Sequence, residues 1–117
     1  MKKILIINPG STSTKSALYI GKELQYSSNV ELTPEMIEKF PKPGMQVEAR
    51  MDLVEQGVLA HGFKMEEIDA FMGRSGGFSC GAQAGAYEVN EAILNCHPLE
   101  TMMAGSELGC HMVKGFA

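Results

Sequence analysis

The feature that most constrains this chain is its opening, an aliphatic run Ile4-Leu5-Ile6-Ile7 stopped at once by Asn8-Pro9-Gly10. So short a run, rich in β-branched residues, reads as a strand buried on both faces. Proline cannot donate to a ladder and glycine permits turn dihedrals, so the strand ends there. Ser11-Thr12-Ser13-Thr14-Lys15-Ser16 follows before the chain turns apolar again at Ala17-Leu18-Tyr19-Ile20. A turn of glycine and hydroxylated residues gathers backbone N–H groups and hydroxyls in one small concavity, and Lys15 adds a positive charge. That set suits phosphate oxygens. A polar hairpin turn with Lys15 simply solvated uses the same residue types, and composition leaves both readings open. A Walker A loop is excluded. Thr14 precedes the lysine and Pro9 stands six residues before it, so both glycines of that motif are missing.

The whole chain bounds the answer further. Its 117 residues make one small domain at most. The 14 acidic against 10 basic residues argue against a nucleic acid partner. No apolar run approaches the roughly 18 residues of a membrane span. Met1-Lys2-Lys3 ahead of the aliphatic run imitates a signal peptide, but the apolar part is too short and no A-x-A site follows. Three widely spaced cysteines suit reduced thiols in a cytoplasm. The nine methionines need no reading beyond flexible core filling.

After the second strand, Gly21-Lys22 reads as a two-residue hairpin turn that wants glycine first. Glu23 to Val30 then alternates, with Leu24, Tyr26 and Val30 on one face, as a third strand antiparallel to the second. Thr33-Pro34-Glu35 starts a short helix, which Phe40-Pro41-Lys42-Pro43-Gly44 breaks. Val47, Met51, Val54 and Val58 form one stripe of a longer helix, while Glu48, Arg50, Asp52 and Glu55 lie off it as a solvated face. Gly62 is its C-terminal cap, and His61 a surface residue favoured by the helix dipole. Ala70-Phe71-Met72 reads as a fourth, parallel strand ending in Gly73-Arg74-Ser75-Gly76-Gly77. Arginine in a glycine turn offers a rigid fork of donors to carboxylates and phosphates, or else is a plain surface residue. Tyr87-Glu88-Val89 reads as a short extended piece, with Asn90 capping a helix through Ala92, Ile93 and Leu94. Ser106 caps a last helix with an apolar stripe of Leu108, Met112, Val113 and Phe116. The adjacent pairs Cys96-His97 and Cys110-His111 lack the spacing of zinc ligands, so no metal site is expected.

The string "ILIINPGSTSTKSALY" resembles the opening of the butyrate kinases, in the acetate kinase family of the actin-like, sugar kinase and Hsp70 superfamily. The later segments "GRSGG" and "AGAYEVNEAIL" are similar to the family's "GRGG" and "GGTY-x-VN", with one extra residue near Ser75. Aligning Ser106-Glu107-Leu108-Gly109 on the family's "SNLG" puts Ala104 where these kinases carry a histidine. The resemblance implies an α/β fold of the ribonuclease H-like (actin-like ATPase) class. Its mixed sheet opens with three antiparallel strands, then come helices and a parallel strand. A Rossmann unit, with a helix straight after strand one, fits the pattern less well.

By the same resemblance, residues 1–117 are the N-terminal portion of the first such domain of a carboxylate kinase, incomplete at its C-terminus. The second nucleotide-binding domain is absent. The implied reaction is reversible ATP-dependent phosphorylation of a short-chain fatty acid to an acyl phosphate. Gly10, Ser11, Thr12, Ser13 and Lys15 would hold phosphate and the waters of its Mg2+, and Asn8 and Arg74 would act in catalysis. Acetate or propionate kinase activity, or a non-catalytic phosphate-binding or assembly role after loss of the histidine, are the alternatives. An exposed sheet edge leads to the expectation of a homo-oligomer.

Overall fold

In the computed structural model, which describes residues 1–74, 85, 88–96 and 108–116, the aliphatic opening forms β1 (Lys3–Pro9). It is followed by β2 (Ser13–Ile20) and β3 (Glu23–Glu31). The three run antiparallel in sequence order. A fourth strand, β4 (Ala70–Gly73), adds parallel to β1 and completes the sheet order β3-β2-β1-β4. No helix stands between β1 and β2, as the polar turn required.

The hairpin chemistry read from the sequence holds in detail. Ile20 pairs with Glu23 around Gly21-Lys22. Gly21 has φ +60°, and no non-glycine residue among the described residues has positive φ, which places the one left-handed position of the turn on glycine. The alternation of β3 does not hold throughout. A bulge between Leu18 and Tyr19 pairs Leu18 with Tyr26 but Tyr19 with Leu24. Gln25 is the surplus residue, and Leu24 passes to the face opposite Tyr26, where it is 52% exposed.

Helix α1 (Pro34–Lys39) begins as expected, the Thr33 hydroxyl accepting from the Met36 amide at 3.2 Å. It ends at Phe40, ahead of Pro41. A 3-10 turn (Pro43–Gln46) leads into α2 (Val47–Ala60), closed by Gly62 at φ +84°. Val54 and Val58 are buried, and Val47 and Met51 pack beside them. Helix α3 (Glu91–Cys96) follows Asn90, and α4 (Gly109–Phe116) carries the expected stripe, with Leu108, Met112 and Val113 buried. Glu88 and Val89 are in no strand, and Ser106 lies outside the described residues.

The core lies on one face of the sheet. Leu5, Ile7, Leu18 and Tyr26 meet Val54, Val58, Ile68, Leu108 and Met112 from α2, α4 and the segments flanking them. Leu5 and Ile7 are fully buried, whereas Ile4 and Ile6 on the opposite face are half-buried. The expectation that β1 is buried on both faces is therefore corrected. Among the described residues the helices that pack on the sheet, α2 and α4, do so from one side, and an unbroken aliphatic run cannot report that. A second correction concerns Arg50. Expected on the solvated face, it stands three residues after Val47 and four before Val54, on the helix face that packs inward, and it is fully buried.

Candidate functional site at the carboxyl end of the first strand

The register of the sheet decides which sequence-predicted residues meet. Asn8 pairs with Lys15 across β1 and β2, and Lys15 pairs with Asn29 across β2 and β3. Cross-strand partners share a face, so these three polar side chains form a row on the face away from the core. With Ile6, Ala17, Ser27 and Ser28 they line a concavity of 390 Å³, within the range of small-ligand pockets. Asn29 was not singled out from sequence. Its position two residues from the end of β3 becomes visible only through the register. The carboxylate of Glu31 stands on the same face, opposite Ser13.

Gly10, Ser11, Thr12 and Ser13 do not line that concavity. They form the tip of the hairpin above it, with Ser11 and Thr12 exposed. The Gly10 amide closes the tip by donating to the Ser13 carbonyl at 2.7 Å. Gly10 is not at a positive φ, so its place here does not rest on left-handed geometry.

Beneath the tip, Arg50 supplies the rigidity. Its Nη1 donates to the carbonyls of Gly10 (2.8 Å) and Ser13 (3.1 Å) and to Thr14 Oγ1 (3.3 Å). Its Nη2 donates to the Ser11 carbonyl (3.0 Å) and to Gln46 Oε1 (2.9 Å), and Nε to the same Gln46 oxygen (3.2 Å). Gln46, itself buried, donates to the Phe40 carbonyl at 3.0 Å. Every edge of the guanidinium is thus occupied, as a buried cation demands. Burial holds its pKa below the usual arginine value. The planar fork is what lets one side chain reach three carbonyls at once. The sequence reading grouped Arg50 with the solvated charges by its residue type, although its spacing from Val47 and Val54 sets it on the inward face of the helix.

Arg74 comes to the same edge by a different route. Because β1 and β4 are parallel, their carboxyl ends coincide. The Arg74 amide donates to the Ile7 carbonyl at 3.0 Å, setting its backbone next to Asn8. The Arg74 side chain is exposed. Two glycines permit this arrangement. A Cβ at Gly73 would come within 2.6 Å of the Gly109 carbonyl, and a Cβ at Gly109 would overlap the Arg74 carbonyl. The end of β4 and the start of α4 therefore meet backbone to backbone. Ala104 lies outside the described residues, as do Ser75, Gly76 and Gly77. Among the described residues no group of three His, Cys, Asp or Glu side chains could hold a metal, and no helix is long and apolar enough to cross a membrane.

A mixed four-stranded sheet under two helices, with amide, hydroxyl and amine donors gathered where its first strand ends, defines an α/β domain with a polar site at its strand termini. In sequence the chain belongs to the butyrate kinase family, over the N-terminal part. It is 40% identical over 92 residues to a "probable butyrate kinase" of Coprothermobacter proteolyticus, covering 79% of this chain and 26% of that protein. The corresponding protein of Bacteroides thetaiotaomicron is 42% identical over 91 residues, 78% of this chain and 25% of its own length. That of Listeria welshimeri is 33% identical over 117 residues, 97% of this chain and 32% of its own. The chain thus spans between 25% and 32% of the length of these curated relatives. No protein-family model matches it.

Proposed function

We propose that residues 1–117 are the N-terminal portion of the first ribonuclease H-like domain of a butyrate kinase-like phosphotransferase. The reaction is ATP-dependent, reversible phosphorylation of a short-chain fatty acid to an acyl phosphate. The observation that carries this reading is the 40% identity to a probable butyrate kinase over 92 residues. The order of three antiparallel strands and one parallel strand is compatible with the ribonuclease H-like fold.

The donor set on the open face fits the terminal phosphates of ATP. Lys15 contributes a cation, Asn8 an amide, and the tip of the hairpin its hydroxyls and outward N–H groups. In this reading Gly10, Ser11, Thr12, Ser13 and Lys15 hold phosphate, and Asn8 stands beside the transferring group. Arg74 meets the carboxylate or the phosphoryl in flight. Bound MgATP supplies the phosphoryl group and a divalent charge that offsets its oxygens. The chain's own residues align donor and acceptor and neutralise charge as it spreads. Assembly with a second copy belongs to the same proposal.

The test is acyl phosphate formation from ATP and butyrate by the full-length protein. Asn8→Ala and Arg74→Ala each lower turnover by about 100-fold or more, with an unchanged circular dichroism spectrum. Wild-type rates in either variant would remove that residue from the mechanism. Acetate or propionate used in preference to butyrate would instead move the assignment to a neighbouring carboxylate kinase. A second reading, a phosphate-binding homologue without catalysis, rests on the sequence resemblance, which puts Ala104 where butyrate kinases would carry a histidine. Nucleotide binding without turnover would establish it.

A further inference from the structure

We infer that Arg50 is a positioning residue for a phosphate held at the β1–β2 hairpin, acting through both the shape of the turn and its own buried charge; this rests on the phosphate-binding reading above. The shape follows from peptide planarity. Arg50 holds the carbonyls of Gly10 and Ser11 beneath the turn, and no peptide bond here is cis. In a trans peptide the next N–H points opposite to the carbonyl, so the Ser11 and Thr12 amides face away from Arg50. Neither amide has an acceptor among the described residues. Their donors stand outward at the tip, on the side an incoming anion would meet.

The charge follows from what surrounds the guanidinium. All its partners are neutral: three carbonyls, one hydroxyl and the Gln46 amide oxygen. No carboxylate forms an ion pair with it among the described residues. A fully buried cation with only neutral acceptors is not cancelled locally, and its field acts through protein on whatever lies at the turn. A purely structural clamp would be as well served by a neutralised pair. A cation left bare directly under a hairpin rich in outward donors has a use if an anion completes the site.

The experiment separates shape from charge in the full-length protein. Gln46→Glu keeps the oxygen that Arg50 binds and puts a carboxylate beside it, so the clamp is retained while its charge is neutralised, at the loss of the Gln46 donation to the Phe40 carbonyl. Gln46→Met, which loses that donation without adding a charge, is its control. Arg50→Lys keeps a cation but cannot span the carbonyls. Inorganic pyrophosphate and ATP are the probes, with binding followed by calorimetry and folding by thermal melting. Gln46→Glu is expected to fold with a somewhat lower melting temperature, since the Phe40 carbonyl loses its donor. It should bind both probes about tenfold more weakly than Gln46→Met does, a difference that shrinks as salt is raised. Arg50→Lys weakens binding and raises KM for ATP more than it lowers kcat. Equal affinity in folded Gln46→Glu and Gln46→Met would overturn the role of the charge. Wild-type affinity in a folded Arg50→Lys would overturn the role of the fork. If the protein makes no acyl phosphate while Gln46→Glu still weakens pyrophosphate binding, the kinase reading fails and the Arg50 inference stands. If the wild-type protein binds neither probe, both fail.

Discussion

Single residues in this protein carry consequences that their chemistry alone does not announce. Tyr26 is buried between β2 and the end of α2, its ring stacked on His61 at 4.0 Å and on Phe63 at 6.4 Å. Its hydroxyl has no hydrogen-bond partner among the described residues. An unsatisfied buried hydroxyl opposes folding. Tyr26→Phe, which keeps the ring and its stacking, is therefore expected to raise stability by about 1 kcal/mol, read from urea unfolding. Burial also pushes the Tyr26 phenol above its ordinary pKa of 10.0. The unfolded chain then ionises first, so this residue's contribution is intact below about that value and is lost as pH rises through the raised one. Wild type should lose more stability above that pH than Tyr26→Phe does. Parallel pH profiles for the two would contradict this.

At the scale of elements, glycines show how location sets the effect of one substitution. Gly57 lies inside α2, and a Cβ there would meet nothing within 4 Å. Gly57→Ala should stabilise the fold by about 0.5–1 kcal/mol through reduced freedom of the unfolded chain. Gly109 opens α4 against the backbone of Arg74. Gly109→Ala should destabilise by about 1–3 kcal/mol, since the clash is with backbone and cannot be relieved by a rotamer change. Thermal melting of the two variants should give shifts of opposite sign. The same contact ties α4 to the carboxyl end of β4, so Gly109→Ala should also disturb any ligand held near Arg74.

For the whole molecule, the one-sided core has a direct consequence. The sheet face away from α2 and α4 carries Ile4, Ile6, Ala17 and Tyr19, with Leu24 and Met72 52% and 55% exposed. Unpaired edges at β3 and β4 among the described residues add to this surface. Residues 1–117 in isolation should therefore associate with rising concentration, and Leu24→Glu with Met72→Lys should suppress it. Light scattering that gave a clean monomer for the unaltered chain would remove the homo-oligomer from the proposal. The polar row of Asn8, Lys15 and Asn29 borders the same face, so association could be checked for competition with pyrophosphate.

How much was legible beforehand depends on how local each signal is. The two hairpins, the Thr33 cap, the Gly62 stop and the α4 stripe are written in neighbouring residues. Turn dihedrals, caps and periodicity act over a few positions, so the sequence alone determined them. The placement of Asn8 and Lys15 at the root of a polar hairpin was legible for the same reason. Three things were decided only by tertiary structure. A bulge moved Leu24 off the core face, because register depends on the partner strand and a one-residue slip inverts the pattern. Helices packed on one face left Ile4 and Ile6 half-buried. Arg50 passed from a helical charge to the buried clamp of the hairpin, because its hairpin acceptors, Gly10, Ser11, Ser13 and Thr14, lie far back in the chain and only folding brings them to it.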